Sequence, residues 1–536
     1  MKSKILVIRF SSLGDVILAS APVLNLKIGC PDSTIVFLTK EKFAPIVRRF
    51  GGVDEVLTIE NSPRLMDILN LIRGIDSREF DIIVDLQGNF RSFLVRTLSF
   101  SAQKVNYVRD RVARQRIVNT KDFPSTIIHT TDKYNAAISQ LGIDPVARRP
   151  VIDAFEDQKF SRVRPRVVIA PGASFSNKQW PLERFAKVAV ELHQTHQAKI
   201  IWATTSDQND KLDLEEQIGK ECFIDLMDAP LDQLADIIHS SDICISNDSG
   251  IAHLSSAVGT PVLAIFGPTH PALGFAPRGL FDKVIEVDEY CRPCSLHGDK
   301  PCFRKERFCL TRTLPENVVE EANLILAKRK TRAKALFADR DGTVIIDKPF
   351  DSDPNNIDFV PGSIEALTRA QKLGLKLVIV SNQSGVARGY FNLEAAENFN
   401  QVLVKMLNEN GVKIDSIYFC PHYPDGTSAE YAKRCHCRKP APGMAELGAH
   451  HLNLDLRQSY VVGDKLDDFN LGRVIGSAPF LVKTGQGQDY VSTLRKTSKN
   501  SENVICENLL EAVRRIEAIE KTRSAQVGQE SPTERL

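Results

Sequence analysis

The sequence contains no uninterrupted apolar run that approaches the roughly 20 residues a membrane-spanning helix needs. Its N-terminus, MKSKILVIRFSSLGD, lacks the longer apolar region and the small-residue cleavage site of a secretory signal, and is typical of a first β-strand. The formal net charge of +2 provides no strong field that would point to a nucleic-acid partner. We therefore expect a cytoplasmic protein, in which a reducing environment disfavours disulfides among the 11 cysteines.

The composition is ordinary for a globular protein, with 43% hydrophobic and 25% charged residues, and the length of 536 residues suggests three or four domains. Apolar, β-branched runs such as KILVIRF, RVVIAPG and KALFADRDG alternate with stretches of helical periodicity. This alternation predicts α/β domains with parallel sheets covered on both faces. We expect Rossmann-like domains over 1–160 and 161–328, a basic linker over 329–334, a third doubly wound domain over 335–515 and a disordered polar tail over 516–536.

In the third predicted domain, polar residues stand at the ends of the predicted strands. The first strand ends in DRDGT, where Asp339 and Asp341 are two residues apart on an extended chain and point to the same side. The second ends in SNQSG, where Ser381 and Asn382 offer donors, and a later strand ends in GDK with Asp464. Ligands of open parallel sheets bind at the carboxyl ends of strands, so these groups are candidates for one site.

These residue types suit phosphoryl transfer. A carboxylate such as Asp339 can attack phosphorus directly and form an aspartyl phosphate, and a magnesium ion must bridge the two because like charges repel. Asp468 follows Asp464 by four residues and shares one face of a helical turn with it. Lys439, in CRKPAPGM, is a candidate cation for the transferring oxygens. The alternative is that these aspartates are ordinary turn residues.

Together, DRDGT, SNQSGVARGYF, CRKPAPGM and GDKLDD resemble the haloacid dehalogenase (HAD) superfamily and, within it, the D-glycero-D-manno-heptose 1,7-bisphosphate phosphatases, over residues 334–490. The resemblance implies that Asp339 is the nucleophile and Asp341 the general acid/base. It implies magnesium on Asp339, Asp341 and Asp464, and substrate contacts from Ser381, Asn382, Arg388, Arg438 and Lys439. Histidinol-phosphate phosphatases are the alternative, although SNQSGVARGYF and the long gap in the cysteine loop favour the heptose enzymes.

That loop contains Cys420, His422, Cys435 and Cys437. One nitrogen and three sulfur ligands suit tetrahedral zinc. The compartment and the close spacing disfavour disulfides, and unliganded cysteines are the alternative. The phosphatase resemblance also implies zinc here. A site closed by four protein ligands is structural, so we expect zinc to pin the loop that presents Arg438 and Lys439 without touching the reacting phosphate.

The first two domains carry three further motifs. SSLGD follows the first strand and contains Asp15, which can act as a general base on an acceptor hydroxyl or simply cap a helix. PGASFSNKQWP contains Lys178, whose ammonium can neutralise a leaving diphosphate. SNDSGIAH opens a helix whose amides point at an anion. Within it, Asp248 can bind sugar hydroxyls, and His253 is either a site residue or a packed helix histidine.

These motifs, with GTPVLAIFGPT and CRPC, resemble glycosyltransferase family 9, the lipopolysaccharide heptosyltransferases, over residues 1–328. The resemblance implies a GT-B fold that needs no catalytic metal, with the acceptor in the first domain. It implies ADP-L-glycero-D-manno-heptose as donor and a lipid A–inner-core oligosaccharide as acceptor, and therefore work at the inner face of the inner membrane. The residues it assigns are Asp15 as base and Lys178, Asp248, Ser249, Gly250 and His253 as donor-binding groups.

Both resemblances point to heptose metabolism, so we expect a bifunctional enzyme that hydrolyses a heptose bisphosphate and transfers an activated heptose. Two alternatives remain open: a transferase half that only binds sugar, and a phosphatase half that serves histidine synthesis. A second cysteine cluster has a spacing that suits either another zinc or a reduced structural loop; it consists of Cys291, Cys294, Cys302 and Cys309.

Overall fold

The computed structural model describes residues 3–126, 128–155, 164–205, 214–329, 331–497 and 501–528. The chain forms two compact units that divide between Lys330 and Thr331, inside the expected linker. The N-terminal unit holds two parallel sheets and the C-terminal unit holds one, which confirms the predicted α/β class. Within the described ranges, no helix is long and apolar enough to cross a membrane.

The first sheet has five parallel strands in the order β3-β2-β1-β4-β5. β1 lies at its centre, and KILVI is buried at all but its first position, as expected for a strand covered by helices on both faces. The strands are β1 (Lys4–Ile8), β2 (Thr34–Lys40), β3 (Glu55–Ile59), β4 (Ile82–Asp85) and β5 (Gln103–Asn106). The helices are α1 (Leu13–Leu18), α2 (Ser20–Gly29), α3 (Ala44–Val47), α4 (Leu65–Asp76), α5 (Phe90–Leu98), α6 (Arg111–Thr120) and α7 (Thr130–Ser139).

The second sheet has six parallel strands in the order β11-β10-β9-β6-β7-β8. Its strands are β6 (Arg166–Ala170), β7 (Lys199–Thr204), β8 (Phe223–Met227), β9 (Ile243–Asn247), β10 (Val262–Ile265) and β11 (Lys283–Ile285). Its helices are α8 (Leu182–His196), α9 (Leu214–Ile218), α10 (Leu231–His239), α11 (Gly250–Ala257), α12 (Phe308–Thr311) and α13 (Pro315–Arg329). β6 and β9 are neighbours, so the motif loops that follow them meet at one edge of the sheet.

Two glycines of the sequence motifs set how closely the helices α1 and α11 approach each other. Helix α1 packs against α11. A Cβ atom on Gly14 would lie 2.7 Å from the ring of His253, and one on Gly250 would lie 2.7 Å from Leu13. A larger residue at either position would force the two helices apart, so glycine here serves close packing.

The third sheet has six parallel strands in the order β14-β13-β12-β15-β16-β17. β12 has β13 and β15 as neighbours, so the ends of the strands that carry DRDGT, SNQSG and GDK converge. The strands are β12 (Ala335–Ala338), β13 (Lys376–Asn382), β14 (Ser416–Cys420), β15 (Tyr460–Gly463), β16 (Ala478–Val482) and β17 (Ile505–Cys506). The helices are α14 (Ser363–Lys372), α15 (Leu393–Glu409), α16 (Gly443–Leu452), α17 (Leu466–Ile475), α18 (Gly487–Thr497) and α19 (Leu509–Gly528).

The prediction of a disordered tail from residue 516 is wrong over residues 516–528, which belong to α19. The helix packs against α14 and buries Ala512, Val513 and Ile516 in the core of the unit. These apolar positions recur at helical spacing, so burial of one face offsets the polar composition of the other. The remaining residues of the predicted tail, 529–536, lie outside the described ranges.

His129 joins the two halves of the N-terminal unit. Its Nδ1 accepts a hydrogen bond from the Thr131 amide at 3.1 Å, and its Nε2 lies 2.9 Å from the main-chain oxygen of Ala276. A neutral ring with its proton on Nε2 satisfies both contacts. Burial, together with the charge of Arg278, lowers the pKa of His129 to about 3.

We expect the N-terminal unit to lose stability as the pH falls from about 6.5. In the unfolded chain His129 gains a proton below a pKa of about 6.5, whereas in the folded chain it stays neutral down to about 3. Through His129, protons therefore favour the unfolded state across this window, by about 2 kcal/mol between pH 7 and pH 5. Asp282, whose pKa is raised to about 6 by burial, offsets part of this loss. Both tryptophans, Trp180 and Trp202, lie in this unit, so their fluorescence in denaturant titrations reports its unfolding.

The matched variant is His129→Asn, which keeps an acceptor for the first turn of α7 but does not titrate. We expect it to lose less stability than the wild type between pH 7 and pH 5. Equal losses in the two proteins would contradict the role assigned to His129.

Candidate active sites

A buried lysine links two aspartates at the centre of the C-terminal unit. Lys439 Nζ lies 2.6 Å from Asp339 Oδ1 and 2.5 Å from Asp468 Oδ1, and it also donates to the main-chain oxygen of Val380 at 2.8 Å. Burial alone would lower the pKa of Lys439, but the two carboxylates raise it above its ordinary value. The lysine therefore keeps its charge inside the cluster, and its contact with substrate stays a prediction.

Asn382 holds this lysine through the main chain. Its Oδ1 accepts a hydrogen bond from the Lys439 amide, and its Nδ2 donates to the Lys439 carbonyl, each at 3.0 Å. One side chain thus satisfies both polar groups of the Lys439 backbone. Asn382 was expected to contact substrate, and here its side chain positions the lysine.

A third carboxylate lies beside this pair. Oxygen atoms of Asp339, Asp464 and Asp468 all lie within 4.8 Å of one another and could hold a metal ion. Asp464 Oδ2 accepts from the Gln486 amide at 2.8 Å, whereas its buried Oδ1 has no hydrogen-bond partner among the described residues. Burial, with the charge of Asp339 added, raises the pKa of Asp464 to about 8.

The glycine of DRDGT makes room for this carboxylate. Gly342 has φ +79°, and a Cβ atom there would lie 2.4 Å from Asp464 Oδ2. The position therefore requires glycine for two independent reasons: backbone conformation and close approach.

Asp341 faces a different set of partners. Gln383 Nε2 donates to its Oδ2 at 2.7 Å, Ser381 Oγ donates at 3.3 Å, and Arg340 Nη2 lies 3.0 Å away. Burial would raise the pKa of Asp341, but the Arg340 guanidinium and these hydrogen bonds hold it below its ordinary value. The assignment of Asp341 as a magnesium ligand stays a prediction, because the carboxylate cluster contains Asp468 in its place.

The four predicted zinc ligands come together in one cluster. Cys437 Sγ lies 3.3 Å from Cys420 Sγ, from Cys435 Sγ and from His422 Nδ1. Cys420 Sγ lies 3.5 Å from Cys435 Sγ and 3.7 Å from His422 Nδ1. With metal–sulfur bonds of about 2.3 Å, a tetrahedral site has ligand separations of roughly 3.8 Å. The cluster therefore has almost the size that a tetrahedral metal ion requires.

Two arginines predicted to contact substrate lie over the ring of Tyr423, in the same loop. The guanidinium carbons of Arg388 and Arg438 lie 3.9 Å and 5.2 Å from the ring centroid. Arg438 Nη1 also donates to the main-chain oxygen of His422 at 3.2 Å. The cysteine loop thus fixes both arginines, and Arg438 directly precedes the site lysine.

In the N-terminal unit, a cleft of about 590 Å³ contains Asp15. Arg9 Nη2 lies 2.8 Å from Asp15 Oδ2, Ser12 Oγ donates to the same oxygen at 2.8 Å, and the Tyr134 hydroxyl donates to Oδ1 at 3.2 Å. Burial would raise the pKa of Asp15, but Arg9 and Ser12 hold it below its ordinary value. The carboxylate is therefore ionised at neutral pH, as a general base must be.

Across the cleft, Lys178 and Asp248 form an ion pair. Lys178 Nζ lies 2.5 Å from Asp248 Oδ2, which also accepts a hydrogen bond from Thr269 Oγ1 at 2.7 Å. Both side chains line the cleft that contains Asp15. The structure therefore brings together residues from three separate sequence motifs.

Helix α11 lines the same cleft with its first turn. The Ser249 side chain caps the helix by accepting from the Ile251 amide, and Gly250 follows it. His253 is buried, and its Nδ1 has no hydrogen-bond partner among the described residues. Burial, offset in part by nearby carboxylates, lowers the pKa of His253, so the ring is neutral. His253 both packs against Gly14 and lines the cleft. It can therefore be a packed helix histidine and a site residue at the same time.

Comparison with known proteins decides the family. Residues 68–301 match the model for glycosyltransferase family 9 (heptosyltransferase), and residues 436–512 match a HAD-hydrolase-like model. Over 154 residues the chain is 44% identical to the D-glycero-β-D-manno-heptose-1,7-bisphosphate 7-phosphatase of Yersinia pestis, covering 28% of this chain and 81% of that protein. The C-terminal unit belongs to the heptose bisphosphate phosphatase family. The N-terminal unit carries a glycosyltransferase family 9 domain.

A second curated relative and two solved structures are also similar to parts of the chain. The phosphatase of the same name from Photorhabdus laumondii is 37% identical over 189 residues, covering 35% of this chain and 97% of that protein. The structure of the E. coli ADP-heptose lipopolysaccharide heptosyltransferase II covers 62% of this chain and 100% of its own, with 20% identity and a TM-score of 0.48. The D,D-heptose 1,7-bisphosphate phosphatase of B. bronchiseptica, solved with magnesium and phosphate, covers 35% and 99%, with 32% identity and a TM-score of 0.31.

Both family resemblances predicted from the motifs are thus confirmed. The motifs did not indicate several residues that complete the two sites. In the phosphatase unit, Arg340 and Gln383 lie within DRDGT and SNQSG, and a polar side chain beside a buried strand was an available signal. In the transferase unit, Arg9 ends the apolar first strand, whereas Tyr134 lies 119 residues from Asp15 and gave no signal.

Proposed function

We propose that this chain is a bifunctional enzyme of lipopolysaccharide heptose metabolism. Its phosphatase unit hydrolyses D-glycero-D-manno-heptose 1,7-bisphosphate to heptose 1-phosphate, and its transferase unit transfers heptose from ADP-heptose to an acceptor. The observation that carries the proposal is the buried Asp339–Lys439–Asp468 arrangement, in a unit that spans 97% of a phosphatase of that name.

In the proposed phosphatase reaction, an Asp339 oxygen attacks phosphorus, the bond from phosphorus to the sugar oxygen breaks, and Asp341 gives that oxygen a proton. Water then attacks the aspartyl phosphate, Asp341 takes up its proton, and inorganic phosphate leaves. Lys439 holds positive charge beside the reacting oxygens. Asp341 is ionised in the present arrangement, which is the form needed for the second step.

Magnesium fits the carboxylate cluster of this unit. The three carboxylates cluster near the ammonium groups of Lys439 and Lys465, and Asp464 Oδ1 is buried without a hydrogen-bond partner among the described residues. A divalent cation would add positive charge and a ligand for that oxygen. Asp339 and Asp464 would hold the ion, with Asp341 as the further predicted ligand. When bound, magnesium neutralises the repulsion between the nucleophile and the phosphate.

Zinc fits the cysteine loop, with Cys420, His422, Cys435 and Cys437 as its ligands. The cluster offers three soft sulfurs and one imidazole nitrogen at distances close to those of a tetrahedral site. With all four positions filled by protein, zinc would be structural. It would hold the loop that carries the two arginines over Tyr423 and presents Lys439.

In the proposed transfer reaction, Asp15 removes the proton of an acceptor hydroxyl as its oxygen attacks C1 of the heptose. The bond from C1 to the diphosphate breaks, and ADP leaves. Lys178 offsets the charge of the diphosphate, and the amides of Ser249 and Gly250 at the start of α11 face it. Asp248 and His253 contact the donor sugar or nucleotide, and no catalytic metal is required.

We also propose that a lipid-linked acceptor, lipid A with its inner core, reaches the enzyme at the cytoplasmic face of the inner membrane. Helix α5 and the short segment that follows it expose apolar rings, with Phe90 72%, Phe93 47% and Phe100 81% exposed. Arg91, next to Phe90 in the sequence, is also exposed. Aromatic and basic groups side by side suit the interface of an anionic membrane.

We expect a Phe90→Asp, Phe93→Asp variant to bind anionic vesicles about 10-fold or more weakly than the wild type, because two ring contacts with lipid are lost. Co-sedimentation with phosphatidylglycerol-containing vesicles measures this. Phe303→Asp is the matched control, since Phe303 is 73% exposed but lies elsewhere in the chain. Undiminished vesicle binding by the double variant would show that α5 does not contact the membrane.

The test of the proposed function is phosphate release and sugar transfer by the full chain with magnesium. We expect one equivalent of phosphate from heptose 1,7-bisphosphate, little from histidinol phosphate, and transfer of heptose from ADP-heptose to a lipid A–inner-core acceptor. Turnover of histidinol phosphate alone would refute the heptose assignment. Donor binding without transfer would make the transferase unit a sugar-binding module.

A further inference from the structure

Four cysteines outside the predicted zinc loop surround one small cavity in the transferase unit. Cys291, Cys294, Cys302 and Cys309 all line it, although they span 19 residues of sequence. We propose that these four thiols form a second metal site, a tetrathiolate site for a soft divalent cation such as Zn²⁺. Soft thiolate ligands select zinc or ferrous iron over magnesium or calcium.

The spacing and the backbone suit such a site. Cys291 and Cys294 form a Cys-x-x-Cys turn, the usual first pair of a structural zinc site. The Cys294 amide donates to the main-chain oxygen of Pro268 at 2.8 Å, and Cys309 stands on α12. Two of the ligands lie on one tight turn and the other two lie in the segment that follows. A metal bound by all four would close this loop, which has little secondary structure.

The charges around the cavity also favour a metal thiolate centre. Four thiolates and one divalent cation carry a net charge of −2, which needs compensation in a partly buried place. Three cations line the cavity, Lys300, Arg304 and Arg307, beside one acid, Glu306. Because Arg304 also pairs with Glu289, the compensation comes chiefly from Lys300 and Arg307. Pro268 and Phe308 line the remainder of the cavity with apolar surface.

The sulfurs are more widely spaced than those of the Cys420 cluster. Among the described residues, only the Cys420 cluster and the carboxylate cluster place three or more metal-binding groups within 4.8 Å of one another. Loading of the second site therefore has to draw the segment of residues 291–309 inward. This movement gives the proposal a readout that does not depend on catalysis.

Residues 291–309 also contribute to one wall of the transferase cleft. The role that follows for this segment rests on the proposed function. Leu296 and His297 line the cleft, and a Cβ atom on Gly298 would lie 2.6 Å from the side chain of Lys178. Arg292 donates to the main-chain oxygen of Thr269, whose hydroxyl donates to Asp248. A metal on the four thiols would therefore fix the wall against which the ion pair of the donor site is held.

The decisive experiment is elemental analysis of the full chain, purified without chelators, for all first-row transition metals. We expect two metal ions per chain in the wild type and one in a Cys291→Ser, Cys294→Ser variant. A Cys435→Ser, Cys437→Ser variant should also lose one ion, which tests the metal site of the phosphatase loop separately. Cys30→Ser is the matched control and should keep both, since Cys30 lies outside either cluster.

A wild-type chain that holds only one metal ion, or a Cys291→Ser, Cys294→Ser variant that keeps the full content, would overturn the proposal. If that double variant fails to fold, limited trypsin digestion of the wild type provides the second measurement. Trypsin sites at Arg304, Lys305 and Arg307 lie within the segment. Zinc added to chelator-treated protein should slow cleavage there, and unchanged cleavage would equally refute the site.

The folded double variant also separates this proposal from the proposed function. We expect its KM for ADP-heptose to rise about 10-fold, because groups that orient a binding site are lost. Its kcat and its phosphatase activity should change little. If the variant loses the metal but its KM does not change, the four cysteines bind a metal whose role is limited to stability.

Discussion

Replacing Asp339 by asparagine is expected to abolish phosphate release while leaving sugar transfer unchanged. An amide cannot attack phosphorus to form an acyl phosphate, so the loss in kcat should be on the order of 10⁴-fold or more. The variant should still fold, because the amide oxygen can accept from Lys439 and one of three mutually repelling carboxylates is removed. Phosphate release from heptose 1,7-bisphosphate measures the effect.

Two controls make this result specific. Asp358→Asn alters an exposed aspartate of the same unit and should retain full activity. Heptose transfer by the Asp339→Asn chain reports that the other unit is intact. Substantial phosphate release by that variant would mean that water attacks the substrate directly, and the proposed aspartyl phosphate would have to be abandoned.

Replacing Asp15 by asparagine should have the reciprocal effect, a fall in the rate of heptose transfer of about 10²- to 10⁴-fold with phosphatase activity unchanged. The single amide oxygen can still accept from either Ser12 or Tyr134, which donate to different oxygens of Asp15, but the amide cannot take a proton from the acceptor. Binding of ADP should persist, because Lys178 and Asp248 are untouched. Transfer to a lipid A–inner-core acceptor and calorimetric titration with ADP separate chemistry from binding.

Asp15→Asn also leaves the buried Arg9 guanidinium without its charged partner, so stability must be measured alongside activity. Tryptophan fluorescence in denaturant supplies this, since both tryptophans lie in the transferase unit. Asp32→Asn, at an exposed position of the same unit, is the control. A folded Asp15→Asn variant that transfers heptose at the wild-type rate would rule out Asp15 as the base.

The sequence by itself determined the α/β class and the position of each functional motif. Alternating apolar runs and helical stretches predict parallel sheets, and parallel sheets place strand-end residues together, so the convergence of Asp339, Ser381 and Asp464 followed from order alone. The four predicted zinc ligands are close in sequence, so their closeness in space could also be predicted from the sequence. Local spacing carries this information because the geometry of a strand end or a short loop is nearly fixed.

Only the tertiary structure decided which partner each side chain faces. Asp341 turns towards Arg340 and Gln383, while Asp468 joins the carboxylate cluster through Lys439, and no spacing rule distinguishes these two aspartates. Tyr134 reaches Asp15 from a distant helix because the packing of α2 against α7 brings it there. Such pairings depend on side-chain direction and on long-range packing of helices against sheets. Neither is encoded in the spacing of neighbouring residues, so the folded chain alone settles them.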